Sequence, residues 1–224
     1  MLARGEVDAA LVPVIEYQRL PEVAVVPRVC VGARVRVRSV VLATRADSLE
    51  DVSTIALDIS SRTSAALVEV IFREFLQRAP RVTPAEPDIH AMLQSFDAAL
   101  MIGDPAMTFP REGVRVYDLA GLWREYTGLG FVFAMWMMHE SDAEQARVID
   151  FAGARDEGLR HAEEIAARYE KDLGLTQDEL LIYLRENICY ELDEEMRAGL
   201  DLFYQLAHKH GIIESQRPLK LIEF

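Results

Sequence analysis

The rhythm of apolar and polar positions changes twice along this chain. Near the start, "AALVPV" and "EVAVVPRVCVG" are short apolar runs, and "ARVRVRSVVLATR" alternates Arg34, Arg36 and Arg38 with Val35, Val37 and Ser39. Runs and alternation of this kind predict strands, the last with one wet and one dry face. A strand and helix rhythm follows: "TIALD" leads into a helix over residues 63–77, and "RVTPA" into one over 88–95. "DAALMIG" comes next, then "GVRVYD" with a helix around "LAGLWREY". Strands and helices alternating at this spacing predict a parallel or mixed sheet covered on both faces, an α/β arrangement.

After one more strand, "GLGFVFAMWMM", only helical periods remain. Ser141 with Glu144 and Thr176 with Glu179 have the spacing of capping boxes. They predict helices of roughly 142–172, 177–188 and 193–209, with Gly153 and Gly158 interrupting the first. Two long strands thus bracket an α/β block, as in a hinged fold whose ligand sits between two lobes. The expected division is a first lobe over 1–38, a second over 39–130, and a return with a helical tail over 131–224. "LARGEVDAAL" opens on the end of a helix and a strand without its expected neighbour, which suggests a late start. An unpaired edge there would favour low solubility or a homodimer.

Composition narrows the partners. The net charge is −13, and it is uneven: residues 137–224 hold 20 acids and 10 bases, net −10, leaving −3 for the rest. A chain this acidic, without a basic face, repels a phosphate backbone, so nucleic acid is not an expected partner. The longest uncharged apolar run falls short of the ~18 residues that a membrane span needs, and no basic-then-apolar leader opens the chain, so the expected location is cytoplasmic. Cys30 and Cys189 fit no metal-binding spacing and are expected to be reduced core residues.

The candidate chemistry lies where strands end. In "LDISSRTSAAL", Ser60, Ser61, Arg62, Thr63 and Ser64 stand between a strand and a helix. The first N–H groups of that helix lack intrahelical acceptors and carry the positive end of its dipole. Hydroxyls and a guanidinium beside them suit a carboxylate or phosphate; the plain alternative is an ordinary Ser/Thr cap with Arg62 in solvent. "IGDPAM" puts Gly103 and Asp104 directly after another strand, where open α/β sheets bind ligands, or simply forms a Gly-Asp-Pro turn. His90, His139, His161, His208 and His210 are expected to be structural or solvent-facing, and Trp123, Phe131, Phe133 and Trp136 to be core. Asp193, Glu194 and Glu195 read as a helix N-terminus, and Glu163 with Glu164 as a solvated face.

"VDAALVPVIEY", "RVRSVVLATR", "ALDISSRTSAAL", "DAALMIGDPAM" and "DLAGLWREYTGLGFVFAMW" occur in this order and spacing. Together they resemble the chorismate dehydratases of the futalosine route to menaquinone, closely over residues 1 to about 140. The resemblance implies a fold like that of type II periplasmic binding proteins, with a cleft between two lobes. It also implies dehydration of chorismate to 3-[(1-carboxyvinyl)oxy]benzoate without metal or organic cofactor. Ser39, Ser61, Arg62, Thr63, Ser64, Gly103, Asp104, Thr127 and Gly128 match the family's cleft motifs, whereas a cleft asparagine that family members carry on an earlier strand has no counterpart here. The proton-accepting base is Asp104, Glu16 or the substrate's own side-chain carboxylate, with the last preferred. A non-catalytic carboxylate-binding protein and the related dihydroxynaphthoate synthases are the competing readings.

Overall fold

The computed structural model describes residues 1–146 and 148–223. Its strands are β1 (Ala9–Pro13), β2 (Val23–Ala33), β3 (Val40–Thr44), β4 (Thr54–Asp58), β5 (Arg81–Ala85), β6 (Ala98–Ile102), β7 (Arg115–Asp118) and β8 (Phe131–His139). Its α-helices are α1 (Val14–Tyr17), α2 (Thr63–Val70), α3 (Ile89–Ser95), α4 (Gly103–Thr108), α5 (Leu119–Thr127), α6 (Ala143–Ala146), α7 (Phe151–Arg160), α8 (Ala162–Leu173), α9 (Gln177–Ile182) and α10 (Glu194–Lys209). An antiparallel sheet runs β1-β8-β2, and a mixed sheet runs β5-β4-β6-β3-β7.

In the larger sheet β4 pairs parallel with β5 and β6, while β3 runs antiparallel to β6 and β7. The C-terminal ends of β4, β6 and β7 and the start of β3 therefore share one edge. Strands buried on both faces read as nearly continuous apolar runs, as "TIALD" and "AALMI" do. Leu42, Leu57 and Leu100 point into the main core with Leu67, Val68 and Ile71 of the α2 segment. Val41, Ala56, Ala99 and Met101 point the other way, against Ile89, Met92 and Leu93 of α3 and Ala106 of α4.

The smaller sheet follows the same logic. Phe131, Phe133, Met135 and Met137 alternate into the main core, where Phe203 of α10 meets Phe131 edge to face at 5.0 Å. Trp136 points to the opposite face and lies 5.3 Å from Phe151, at the start of the helical tail. Met196 and Gly199 of α10 sit directly over Gly130, leaving no space for a side chain there.

Several sequence expectations need correction. Residues 34–39 are not strand: Arg38 has φ +65°, and the Asp118 carboxylate accepts the N–H groups of Val37 and Arg38, which turns the chain before β3 begins. The helix expected over 142–172 is broken into α6, α7 and α8; Arg147, within that span, lies outside the described residues. The break after α6 is followed by Asp150, whose carboxylate caps α7 by accepting from Gly153, so Gly153 and Gly158 lie inside a helix. "GDPAMT" forms the short helix α4, with Pro105 in the first turn, where its missing N–H costs nothing. The capping box at Thr176 and Glu179 is present, and Asp193 caps α10.

Candidate functional site

The turn out of β4 is held by Asp58. Its carboxylate accepts from the N–H and the hydroxyl of Ser60, at 2.9 and 2.5 Å, and its carbonyl accepts from the Ser61 N–H at 3.0 Å. The chain then enters α2 with Ser61, Thr63 and Ser64 buried. Among the described residues, no side chain caps this helix. An ordinary Ser/Thr cap is thereby replaced by first-turn N–H groups without intrahelical acceptors, set among buried hydroxyls. Two contacts join this turn to α1, which follows β1 of the other sheet: the Thr63 hydroxyl accepts from the Ile15 N–H at 3.4 Å, and Arg62 pairs with Glu16 at 3.2 Å. Glu16 also pairs with Arg19 at 2.8 Å.

On the neighbouring strand, β6 gives way to α4 at Gly103, whose φ of +66° suits a residue without Cβ. Its N–H donates to the Ser39 carbonyl at 2.8 Å. The buried Ser39 hydroxyl accepts from the Tyr183 hydroxyl at 3.0 Å. Asp104, which is exposed, and Tyr183, which is half-buried, line a small apolar cavity of about 200 Å3 with Met107, Ile165 and Leu180. Burial pushes the Tyr183 hydroxyl pKa up, the Ser39 contact opposes this, and the Asp104 charge adds to it. Ser39, Gly103 and Asp104 thus meet at the sheet edge that also carries residues 60–64, since β4 and β6 are adjacent at the usual spacing of about 4.8 Å. Tyr183 escaped the sequence reading because "LLIYLREN" gives only a helical apolar stripe.

Thr127 and Gly128 are not brought to this edge. The Thr127 hydroxyl donates to the Trp123 carbonyl at 2.7 Å and accepts from the Leu129 N–H at 3.1 Å. Gly128, at φ +73°, closes α5. The adjoining Tyr126 stacks at 4.6 Å on Phe75, which lies in the π-helical turn Ile71–Phe75 beyond the C-terminal end of α2. These residues terminate α5, whose last turn packs beside Phe75, past the end of α2. The Trp123 indole N–H donates to the Gly130 carbonyl at 3.1 Å, which holds the following turn against β8.

The segment entering β3 is clamped to the tail. Asp118 accepts from Val37, Arg38 and Gly121, and Arg38 reaches Glu179 of α9 at 2.8 Å. The Glu179 pKa is lowered to about 2 by the Thr176 N–H first and Arg38 second, from an ordinary 4.5. A depressed folded pKa gives stability that is present above the ordinary value and lost as pH falls from there toward the folded one. The melting temperature of Glu179→Gln is therefore expected to fall less than that of the wild type between pH 5 and pH 3; parallel curves would remove Glu179 from the clamp.

The remaining candidates lie elsewhere. The His139 ring is within 2.9 Å of the Leu2 carbonyl, His210 pairs with Glu74 at 2.7 Å, and His161 with Glu164 at 3.2 Å. The Cys30 and Cys189 thiols are free; Cys30 is buried, which pushes its pKa up, and its thiol lies 3.7 Å from the Cys189 carbonyl. Among the described residues, no group of three or more His, Cys, Asp or Glu side chains is placed to hold a metal ion, and no helix is long and apolar enough to cross a membrane.

Two sheets joined by crossing segments, with strand ends and an open helix N-terminus along one edge, define a periplasmic-binding-protein-like fold. The periplasmic aliphatic sulphonate-binding protein of Escherichia coli shares it at 17% identity and a TM-score of 0.58, over 100% of this chain and 80% of that one. So does a Candida albicans gene product described as having the generic periplasmic binding protein fold, at 9% identity and a TM-score of 0.60, over 100% of this chain and 83% of that one. The chain belongs to the menaquinone biosynthesis family, whose model matches residues 1–209. It is also 32% identical over 222 residues to the chorismate dehydratase of Thermus thermophilus, covering 91% of this chain and 80% of that protein.

Proposed function

We propose that this chain is a cytoplasmic lyase that removes water from chorismate to give 3-[(1-carboxyvinyl)oxy]benzoate. The observation that carries the reading is the uncapped start of α2, where first-turn N–H groups, buried hydroxyls and Arg62 converge. Chorismate is a dianion. One carboxylate docks on the α2 N-terminus, where the dipole favours negative charge; Ser39, backed by Tyr183, receives the other. Family membership and the Thermus relative support the same substrate.

In the reaction a proton leaves the ring carbon bearing the enol ether, its C–H electrons form the new ring double bond, and hydroxide leaves the neighbouring carbon. The ring becomes aromatic. Positioning and exclusion of water then carry much of the catalysis. Glu16 is committed to Arg19 and Arg62; of the two remaining candidates, Asp104 and the substrate's own side-chain carboxylate, we take the substrate carboxylate as the base. Asp104→Asn is expected to keep kcat within about tenfold, below the ~100-fold or larger loss typical of removing a general base; a loss of that size would make Asp104 the base.

The reading is tested by incubating the purified chain with chorismate and separating the products by chromatography and mass. An aromatic product lighter than chorismate by the mass of one water is expected. Binding without turnover would instead indicate a carboxylate-binding protein. Failure with chorismate, but formation of a naphthoate from another substrate, would indicate a dihydroxynaphthoate synthase.

A further inference from the structure

Behind the segment entering β3, on the face away from α2, lies a cavity of about 490 Å3 whose wall includes Arg36, Arg38, Arg111, Asp118, Glu179 and Asn187. Three arginines in the wall of one cavity stand out in a chain of net charge −13. The two carboxylates in the wall are already engaged. Asp118 accepts three backbone N–H groups, and Glu179 is held by Thr176 and Arg38. Arg36 and Arg111 form no salt bridge among the described residues; Arg111 only lies over the Phe109 ring at 5.7 Å. Two arginines without a carboxylate partner in the wall of one cavity suit an anion with at least two charged groups, since guanidinium pairs with carboxylate or phosphate through parallel hydrogen bonds.

The geometry points to a second ligand site here, for a small polyanion carrying carboxylate or phosphate groups, separate from the α2 N-terminus. The site spans three parts of the fold. Arg36 belongs to the segment entering β3, Arg111 follows α4 on the larger sheet, and Asn187 lies in the tail after α9. Arg38 sits between them with φ +65°, a backbone conformation that residues with a side chain rarely adopt and that depends on its surroundings to persist. An anion bridging Arg36 and Arg111 ties the crossing segment to the larger sheet, and so acts on the relation between the sheets without touching the α2 N-terminus.

The test is calorimetric titration of the full chain with citrate, for carboxylates, and with pyrophosphate, for phosphates, at low and moderate salt. Saturable binding of at least one probe is expected, weakened at least tenfold in the double variant Arg36→Ala, Arg111→Ala and preserved in Arg62→Ala. The double variant is expected to keep its circular dichroism spectrum and melting temperature in the absence of probe, because neither arginine holds a carboxylate. No saturable binding of either probe, or equal affinity in the double variant, would overturn the proposal. Binding lost in Arg62→Ala but retained in the double variant would place the anion at the α2 N-terminus and overturn it equally.

Discussion

Replacing Gly199 by alanine is expected to lower the melting temperature by about 6–12 °C, at the usual 2–4 °C per kcal/mol for a chain of this size. In an open helix the same change stabilises by about 1 kcal/mol. Here a Cβ would stand 2.0 Å from the Gly130 carbonyl oxygen, a backbone atom fixed by β8 and by the Trp123 indole. Relief requires α10 to move off the sheet and loosens Phe203 from Phe131, an overpacking cost of about 3 kcal/mol. Gly130→Ala is expected to cost less, because the nearest atom to its new Cβ is the Met196 sulfur, at the flexible end of a side chain. A differential scan of both variants checks the order; a stabilised Gly199→Ala would show that α10 does not rest on Gly130.

The largest effect on activity is expected from Arg62→Glu. The side chain is mostly exposed, so folding tolerates the change, and its ion pair with Glu16 contributes at most about 1 kcal/mol to stability. At the α2 N-terminus the consequence is larger. The substrate loses a charge-assisted hydrogen bond, about 1.5–3 kcal/mol, and meets a second carboxylate beside Glu16 where an ion pair stood before. A rise in KM for chorismate of at least ~100-fold is expected, since about 2.8 kcal/mol corresponds to that factor, with a melting temperature within a few degrees of the wild type and a kcat that falls less than kcat/KM. Unchanged KM would move the substrate carboxylate away from this turn.

Much of the fold was legible because it rests on local periodicity. The strands β4, β6 and β8 and the helices α2, α5, α9 and α10 declare themselves through apolar runs and capping residues such as Thr176 and Asp193. Where a distant group decides the backbone, the pattern misleads: "RVRVRS" alternates like a strand, yet Asp118, some 80 residues on, captures its N–H groups. The site was legible in the same measure. Residues 60–64 and 103–104 could be placed at strand ends from the sequence, and resemblance tied them together. Tyr183 could not, because its meeting with Ser39 depends on how the tail docks, 144 residues away. Thr127 and Gly128 share a motif with cleft residues, but Thr127 spends its hydroxyl within its own helix and Gly128 closes that helix.

The central claim is that the open N-terminus of α2 holds a carboxylate of the substrate. Nitrogen-15 amide spectra of the chain, recorded while the aromatic dehydration product is titrated in, test it most directly. Saturable shifts concentrated at the amides of Thr63, Ser64 and Ala65 are expected, abolished in Arg62→Glu. Unmoved amides at these positions, while others in the chain shift and saturate, would contradict it.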